Sequence, residues 1–430
     1  MKKMTDSFLY LQRKHAKQAG RSVRQNDGKD SQYLEARAFV LEQLCSISST
    51  TNLPKNRSVT AKITEDFSML TNPEWTLTLI SDITKIGRQK KLKELIIDHS
   101  EMPKHDLSAE VLLGQSVLSV KTKKNKNNNR ISIKGVYPEN EDLSPMLNSI
   151  GIVEHIKAEK LQVSKSDPKT IKVFKTICTK KEKIDLFCSD KKTQAAVNFI
   201  EYMDECLETV DRKLTEEAGT ELAAIIGELI GNAEDHADID ETHWQFYGYM
   251  DRNSKDEIYQ QISIFNFGKS IAQTFIDKLN VDEINSRVDG YTNLHRKNVS
   301  LEELLTVMAF QENVSSKLDI DSTRGQGFTD LLLFFENITQ ECTENGDKHI
   351  EMSVVSGDIY VYFDGKYMPS KDHVSKRHLL YFNEDNDFFQ PPNANYIRKM
   401  SKARFPGTIV TIKFHLKESD TESLEQRYDS

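Results

Sequence analysis

The chain has 430 residues, of which 37% are hydrophobic and 29% charged, with a formal net charge of −8 at pH 7. That length predicts two or three domains, the composition excludes a disordered chain, and the acidic balance argues against wholesale binding to a polyanion. Five cysteines (Cys45, Cys178, Cys188, Cys206 and Cys342) form no CxxC pair, which suits a reducing cytoplasm better than a disulfide framework or a zinc site.

No apolar run reaches the roughly 20 residues of a bilayer span, and the start lacks a signal-peptide core, so a cytoplasmic protein with no membrane contact is expected. Residues 1–50 form a basic then amphipathic arm, with Leu34, Ala38, Leu41 and Leu44 on one helical face. Its basic start offers a route to nucleic acid, but a solvated helical arm is the better reading.

Residues 51–160 read as an α/β unit. KELIIDHSEM is a short strand, DLSAEVLLGQSVLSV has helical spacing, KTKKNKNNNR is a solvated loop, and RISIKGVYPENEDLSPMLNSIGI holds a second strand and a short helix. This alternation predicts parallel strands with crossover helices. Lysines cluster through 161–194, expected as a linker or hairpin region. The amphipathic run TQAAVNFIEYMDECLETVDRKL opens a second domain over 195–417. Its strands are HWQFYGYMD, EIYQQISIFNFG, the hairpin EMSVVSGDIYVYFDG and the closing GTIVTIKFHL. Residues 418–430 are a polar tail, expected to be loose.

The segment GELIGNAEDHA, from Gly227 to Ala237, is costly for a helix, since each interior glycine loses about 1 kcal/mol relative to alanine. At 100° per residue Glu228, Asn232, Asp235 and His236 fall within about a 100° sector. Leu222, Ile225, Leu229 and Ala233 make the adjoining apolar stripe. Gly227 and Gly231 share another face, where something can approach the backbone closely. A partly exposed helix with a solvated acidic side is the bland alternative.

Two glycine turns follow. FNFGKSI (Phe265 to Ile271) closes a strand and opens a helix, and TRGQGF (Thr323 to Phe328) opens another. Backbone N–H groups at such turns are ready anion donors. An oxygen-bearing helix with two anion-binding turns is what a Mg-nucleotide requires.

These motifs, in this order, resemble the GHKL or Bergerat-fold ATP-binding superfamily, which includes gyrase-type ATPases, mismatch-repair ATPases, heat-shock chaperones, histidine kinases and anti-sigma-factor kinases. ELIGNAEDHA resembles its N-box, in a form closest to the anti-sigma kinases. The resemblance covers about residues 195 to 417. It implies Glu228 as general base, Asn232 as Mg²⁺ ligand, and Asp235 or His236 as pocket lining. FNFGKSI resembles the first glycine box, with Gly268 kept, Asn266 in place of the adenine-binding aspartate and Ser270 in place of the second glycine. An asparagine can still accept the adenine amino proton. RGQGF resembles the second box, with Gly325 and Gly327 as phosphate donors and Arg324 as a charge partner. PGTIVTIKF resembles the closing strand, where Thr408 joins the adenine network. The stretch from about 271 to 323 would be the ATP lid. The implied fold is an α/β sandwich with a mixed sheet, and the implied cofactors are ATP and Mg²⁺.

The N-terminal half more faintly resembles a STAS domain, the anti-sigma-factor antagonist fold. Its phosphorylatable turn would correspond to Asp106-Leu107-Ser108-Ala109, leaving Ser108 as the hydroxyl there, with an unmodified helix cap as the alternative. Three functions stay open: an ATP-driven conformational switch or ATPase in intracellular regulation, a serine kinase acting on a STAS-like partner, and a non-catalytic nucleotide-binding scaffold. A protein partner is expected, and a second copy of the chain is a candidate for it.

Overall fold

The computed structural model describes residues 56–126, 130–150, 152–153, 173–178, 191–235, 244–252, 258–316, 329, 331–335, 350–373, 375–416 and 418–424. The amphipathic arm of residues 1–50 lies outside them.

The N-terminal unit runs β1 (Ser58–Lys62), α1 (Pro73–Gly87), β2 (Glu94–Asp98), α2 (Leu107–Lys126), β3 (Ser132–Val136) and α3 (Ser144–Ser149). Its strands pair in the order β1–β2–β3, all parallel, as the alternation of strand and helix predicts. The sheet is one-sided. Val59, Ala61, Leu95 and Ile97 are buried, while Ser58, Thr60 and Lys62 face solvent. Helix α2 continues to Lys126, through lysines expected to form a loop, because lysine is a good helix former where nothing else decides. Every residue from Leu107 to Val120 is buried, so this helix is enclosed on all sides.

The second unit runs β4 (Phe174–Cys178), α4 (Lys191–Leu207), β5 (Arg212–Leu214), α5 (Glu216–Asp235), β6 (Trp244–Arg252), β7 (Ile258–Phe267), α6 (Ile271–Ile276), α7 (Asp282–His295), α8 (Leu301–Ala309), β8 (Glu351–Gly357), β9 (Ile359–Phe363), β10 (Ser370–Lys371), β11 (His378–Leu379), β12 (Ile397–Lys399), β13 (Phe405–His415) and β14 (Thr421–Ser423). Seven strands form one sheet in the order β12-β9-β8-β13-β7-β6-β4. The overall class is therefore α/β, but the expected mixed sheet is corrected: every neighbouring pair in it is antiparallel. Connections as short as those from β6 to β7 and from β8 to β9 can only reverse the chain, since parallel pairing needs a crossover of a dozen residues or more. Among the described residues, parallel strands are confined to the small sheet.

Two further expectations change. Part of the expected linker, residues 174–178, is the edge strand β4, held by pairing to β6 and by Phe174 packing on Phe199 and Phe246. Part of the expected loose tail, Thr421–Ser423, pairs antiparallel with β5, and Arg212 Nε donates to Thr421 Oγ1 at 2.6 Å.

The large sheet is buried on both faces, and the period-2 alternation of its strands divides them. Phe246, Ile262, Ile264, Val354, Val361, Val410 and Ile412 join one core with α4 and α5. Tyr247, Tyr249, Phe265, Phe267, Val355, Tyr360 and Ile409 join the core of the N-terminal unit. The layers are thus the small sheet, α1 with α2, the large sheet, and the helices around α5.

Candidate functional site

Residue alternation aims the site. On β7, Phe265 and Phe267 face the N-terminal unit, so Asn266 between them faces α5 beside Ile264. Thr408 on β13 is its register partner, and Val410 follows on the same face. Helix α5 lies across this face with Leu222, Ile225, Leu229 and Ala233 buried, which is the stripe read from the sequence. Between helix and sheet is a small pocket, partly open to solvent, lined by Leu229, Asn232, Ala233, Ile264, Asn266, Ile271, Thr408 and Val410. The fold thus gathers Asn232, Asn266 and Thr408, three of the expected site residues, from three separate elements.

Five aliphatic side chains form most of the wall. Among the polar residues, Asn266 is 1% exposed, yet neither its Oδ1 nor its Nδ2 has a hydrogen-bond partner. Leaving a buried polar group unpaired costs about 1–3 kcal/mol, so such a group in a native fold calls for an explanation. Thr408 is committed differently. Its Oγ1 lies 2.7 Å from Ser356 Oγ, and Ser356 Oγ accepts from the Ile271 N–H at 2.8 Å. Sequence reasoning missed Ser356. Its signal is the period-2 alternation that sets it on the helix-facing side with Met352 and Val354.

Gly407 holds the strands together at this point. Its φ is +145°, and a Cβ there would collide with the backbone oxygen of Asn266. Only glycine lets β13 approach β7 so closely beside the pocket.

The first glycine turn departs from expectation. FNFGKSI does close β7 and open α6, but the Gly268 and Ile271 donors are already committed. Gly268 N–H donates to Pro406 O at 3.1 Å, Ile271 N–H to Ser356 Oγ, and Gln273 N–H to Ser270 Oγ at 3.2 Å. Ser270 is the N-cap of α6. Neither Gly268 nor Ser270 lines the pocket, and both serve the strand-to-helix junction instead. The second turn, with Arg324, Gly325 and Gly327, lies outside the described residues, as does His236. Asp235 ends α5.

Glu228 lies on the exposed side of α5, one turn before Asn232 and outside the pocket lining. Nothing stands within 4 Å of a Cβ placed on Gly227, whereas the Lys192 side chain lies over Gly231, with Nζ 3.4 Å from that position. The close approach expected on the glycine face is therefore made by a lysine of α4. Among the described residues no three His, Cys, Asp or Glu side chains converge on a metal-sized site. A Mg²⁺ at Asn232 would take its other ligands from phosphate oxygens and water, the coordination this ion prefers.

The expected lid also needs correction over most of its length. Residues 271–309 contain α6, α7 and α8, and Ile284, Val288, Tyr291, Leu304, Leu305 and Val307 are fully buried in the main core. A complete capping box at Ser300 and Glu303 starts α8. The apolar residues missed in the polar-looking sequence recur at helical spacing, Ile284–Val288–Tyr291 and Leu304–Leu305–Met308.

Ser108, read as a candidate phosphoacceptor, is fully buried in the first turn of α2, 2.7 Å from Thr411 Oγ1 of the large sheet. Asp106 caps this helix through the Ala109 N–H at 2.8 Å. No described helix is long and apolar enough to cross a membrane. Compared with protein-family models, with curated proteins and with solved structures, the chain matches none.

Proposed function

We propose that the pocket between α5 and the large sheet binds the base of a purine nucleotide, and that the chain acts as a Mg-ATP-dependent switch or ATPase in intracellular regulation. One observation carries this reading: the Asn266 amide is buried, unpartnered and set in an apolar slot. A primary amide offers one donor beside one acceptor, which is the pattern that pairs bidentately with adenine. A mostly apolar slot with a few convergent polar groups is the ordinary form of a small-molecule site.

Asn232 lines the pocket one helical turn after Glu228, and phosphates and Mg²⁺ would extend toward this pair from a base held at Asn266. The metal, when bound, neutralises phosphate charge. Glu228 is the residue available to take a proton from water at the rim. With the Gly268 and Ile271 N–H groups of the first glycine turn committed within the fold, phosphate donors would come from Arg324, Gly325 and Gly327. The resemblance of these segments to GHKL proteins supports the same order of parts.

The kinase reading is weaker for an internal target, because Ser108 has no exposed surface. Titration calorimetry of the full chain with ADP and Mg²⁺ tests binding, with saturable one-site heat expected. Absence of heat at millimolar ADP overturns the reading. Incubation with γ-labelled ATP then separates free phosphate, for an ATPase, from labelled protein, for a kinase.

A further inference from the structure

We infer that this pocket reads 6-amino and 6-oxo purines alike, through rotation of the Asn266 amide, so that inosine or guanosine nucleotides bind as adenosine nucleotides do. The inference rests on the purine-site reading and deepens it. A 6-aminopurine presents a donor at N6 beside an acceptor at N1. A 6-oxopurine presents an acceptor at O6 beside a donor at N1, at the same two ring positions. An amide meets the first pattern with Oδ1 toward N6 and Nδ2 toward N1. It meets the second after a half-turn about its last bond, with the base unmoved.

Such a turn is free only where nothing else holds the amide. Asn266 meets that condition, since neither of its side-chain polar atoms has a partner. Most of the surrounding wall, Leu229, Ala233, Ile264, Ile271 and Val410, imposes no donor or acceptor of its own, and the other polar residues of the lining are Asn232 and Thr408. Thr408 and Ser356 are tied to each other and to the Ile271 N–H, so they do not fix the amide either.

Calorimetric titration of the full chain with ADP, IDP and GDP in Mg²⁺ is the test, the diphosphates being chosen because turnover cannot consume them. IDP isolates the amide turn, since hypoxanthine lacks the 2-amino group of guanine. ADP and IDP affinities within tenfold of each other are expected. IDP more than tenfold weaker than ADP overturns the inference and leaves the purine-site reading standing, as happens if the base docks by its N7 edge. If none of the three binds, the purine-site reading itself falls. In Asn266→Leu, ADP and IDP affinities should both fall by at least about tenfold. Unchanged affinities in that variant remove Asn266 from base recognition and overturn the inference.

Discussion

The two faces of the large sheet bury equal stretches of the same strands and treat their polar side chains in opposite ways. Toward the N-terminal unit the polar groups pair. Ser108 meets Thr411, the Leu107 N–H donates to Gln261 Oε1 at 2.9 Å, Gln115 Nε2 to Gln245 Oε1 at 2.7 Å, Ser353 Oγ to Met69 O at 2.8 Å, and the Tyr360 hydroxyl to Leu70 O. Ser263 Oγ is one exception on that face. Toward α5, at the pocket, the Asn266 amide is left with nothing. One face is finished as an interior, where satisfied hydrogen bonds specify a single docking. The other keeps a polar group whose partner must come from outside the chain.

The largest effect that would break this contrast is a charge on the finished face. Ser108→Asp buries a carboxylate between α2 and β13 with only Thr411 to meet it. It should lower stability by about 3–5 kcal/mol, read by chemical denaturation. A loss under 1 kcal/mol would mean that the N-terminal unit undocks readily and that Ser108 is reachable after all.

On the open face the sign reverses. Asn266→Leu should raise the stability of the ligand-free protein by about 1–3 kcal/mol, because it removes an unpaired amide from an apolar site, while nucleotide affinity falls by at least about tenfold. Lost stability together with lost binding would instead make Asn266 a structural residue.

Acid sharpens the comparison from the finished side. Burial pushes the His99 imidazole below its ordinary range, against the neighbouring charges of Glu110 and Asp98, with His105 adding to the depression. His105 Nδ1 lies 3.0 Å from Glu110 Oε1 in the same buried cluster. A folded-state pKa below the unfolded value of about 6.5 means that the neutral form is favoured on folding. Its contribution is therefore present above about pH 6.5 and lost as pH falls. The protection of α2 amides relative to the intrinsic exchange rate at each pH should fall between about pH 7 and 5, and replacing His99 by Gln should flatten that dependence.

The smallest structural effect is expected at Glu228. Its exposure predicts a stability change within about 0.5 kcal/mol for Glu228→Ala. Nucleotide affinity should hold and turnover should fall by about 10²–10⁴-fold if it takes a proton. Unchanged turnover would reduce it to a solvated acid on the outer side of α5.

Local pattern was legible in the chain. The apolar stripe of α5, the strand–turn–helix junction at Phe265 to Ile271, the hairpin at Gly357 and the parallel crossovers all follow from spacing and glycine placement, which act over a few residues. So did the grouping of Asn232, Asn266 and Thr408, through motif order. Residues 174–178 and 421–423 were not legible as strands, because their order comes from partners far away in the sequence, β6 and β5. Residues 282–309 look polar because their helices bury only narrow apolar stripes.

What the sequence determined by itself was the inventory: which segments are amphipathic, where the glycines break them, and that Asn266 alternates with two phenylalanines. Only the tertiary structure decided which of these groups are spent. Gly268 gives its N–H to Pro406, Ser270 caps α6, Ser108 meets Thr411, and Asn266 alone among the expected base-binding groups finds no partner. A hydrogen bond joins atoms that the chain brings together from hundreds of residues apart, so a residue's availability for ligand is a property of its neighbours in space.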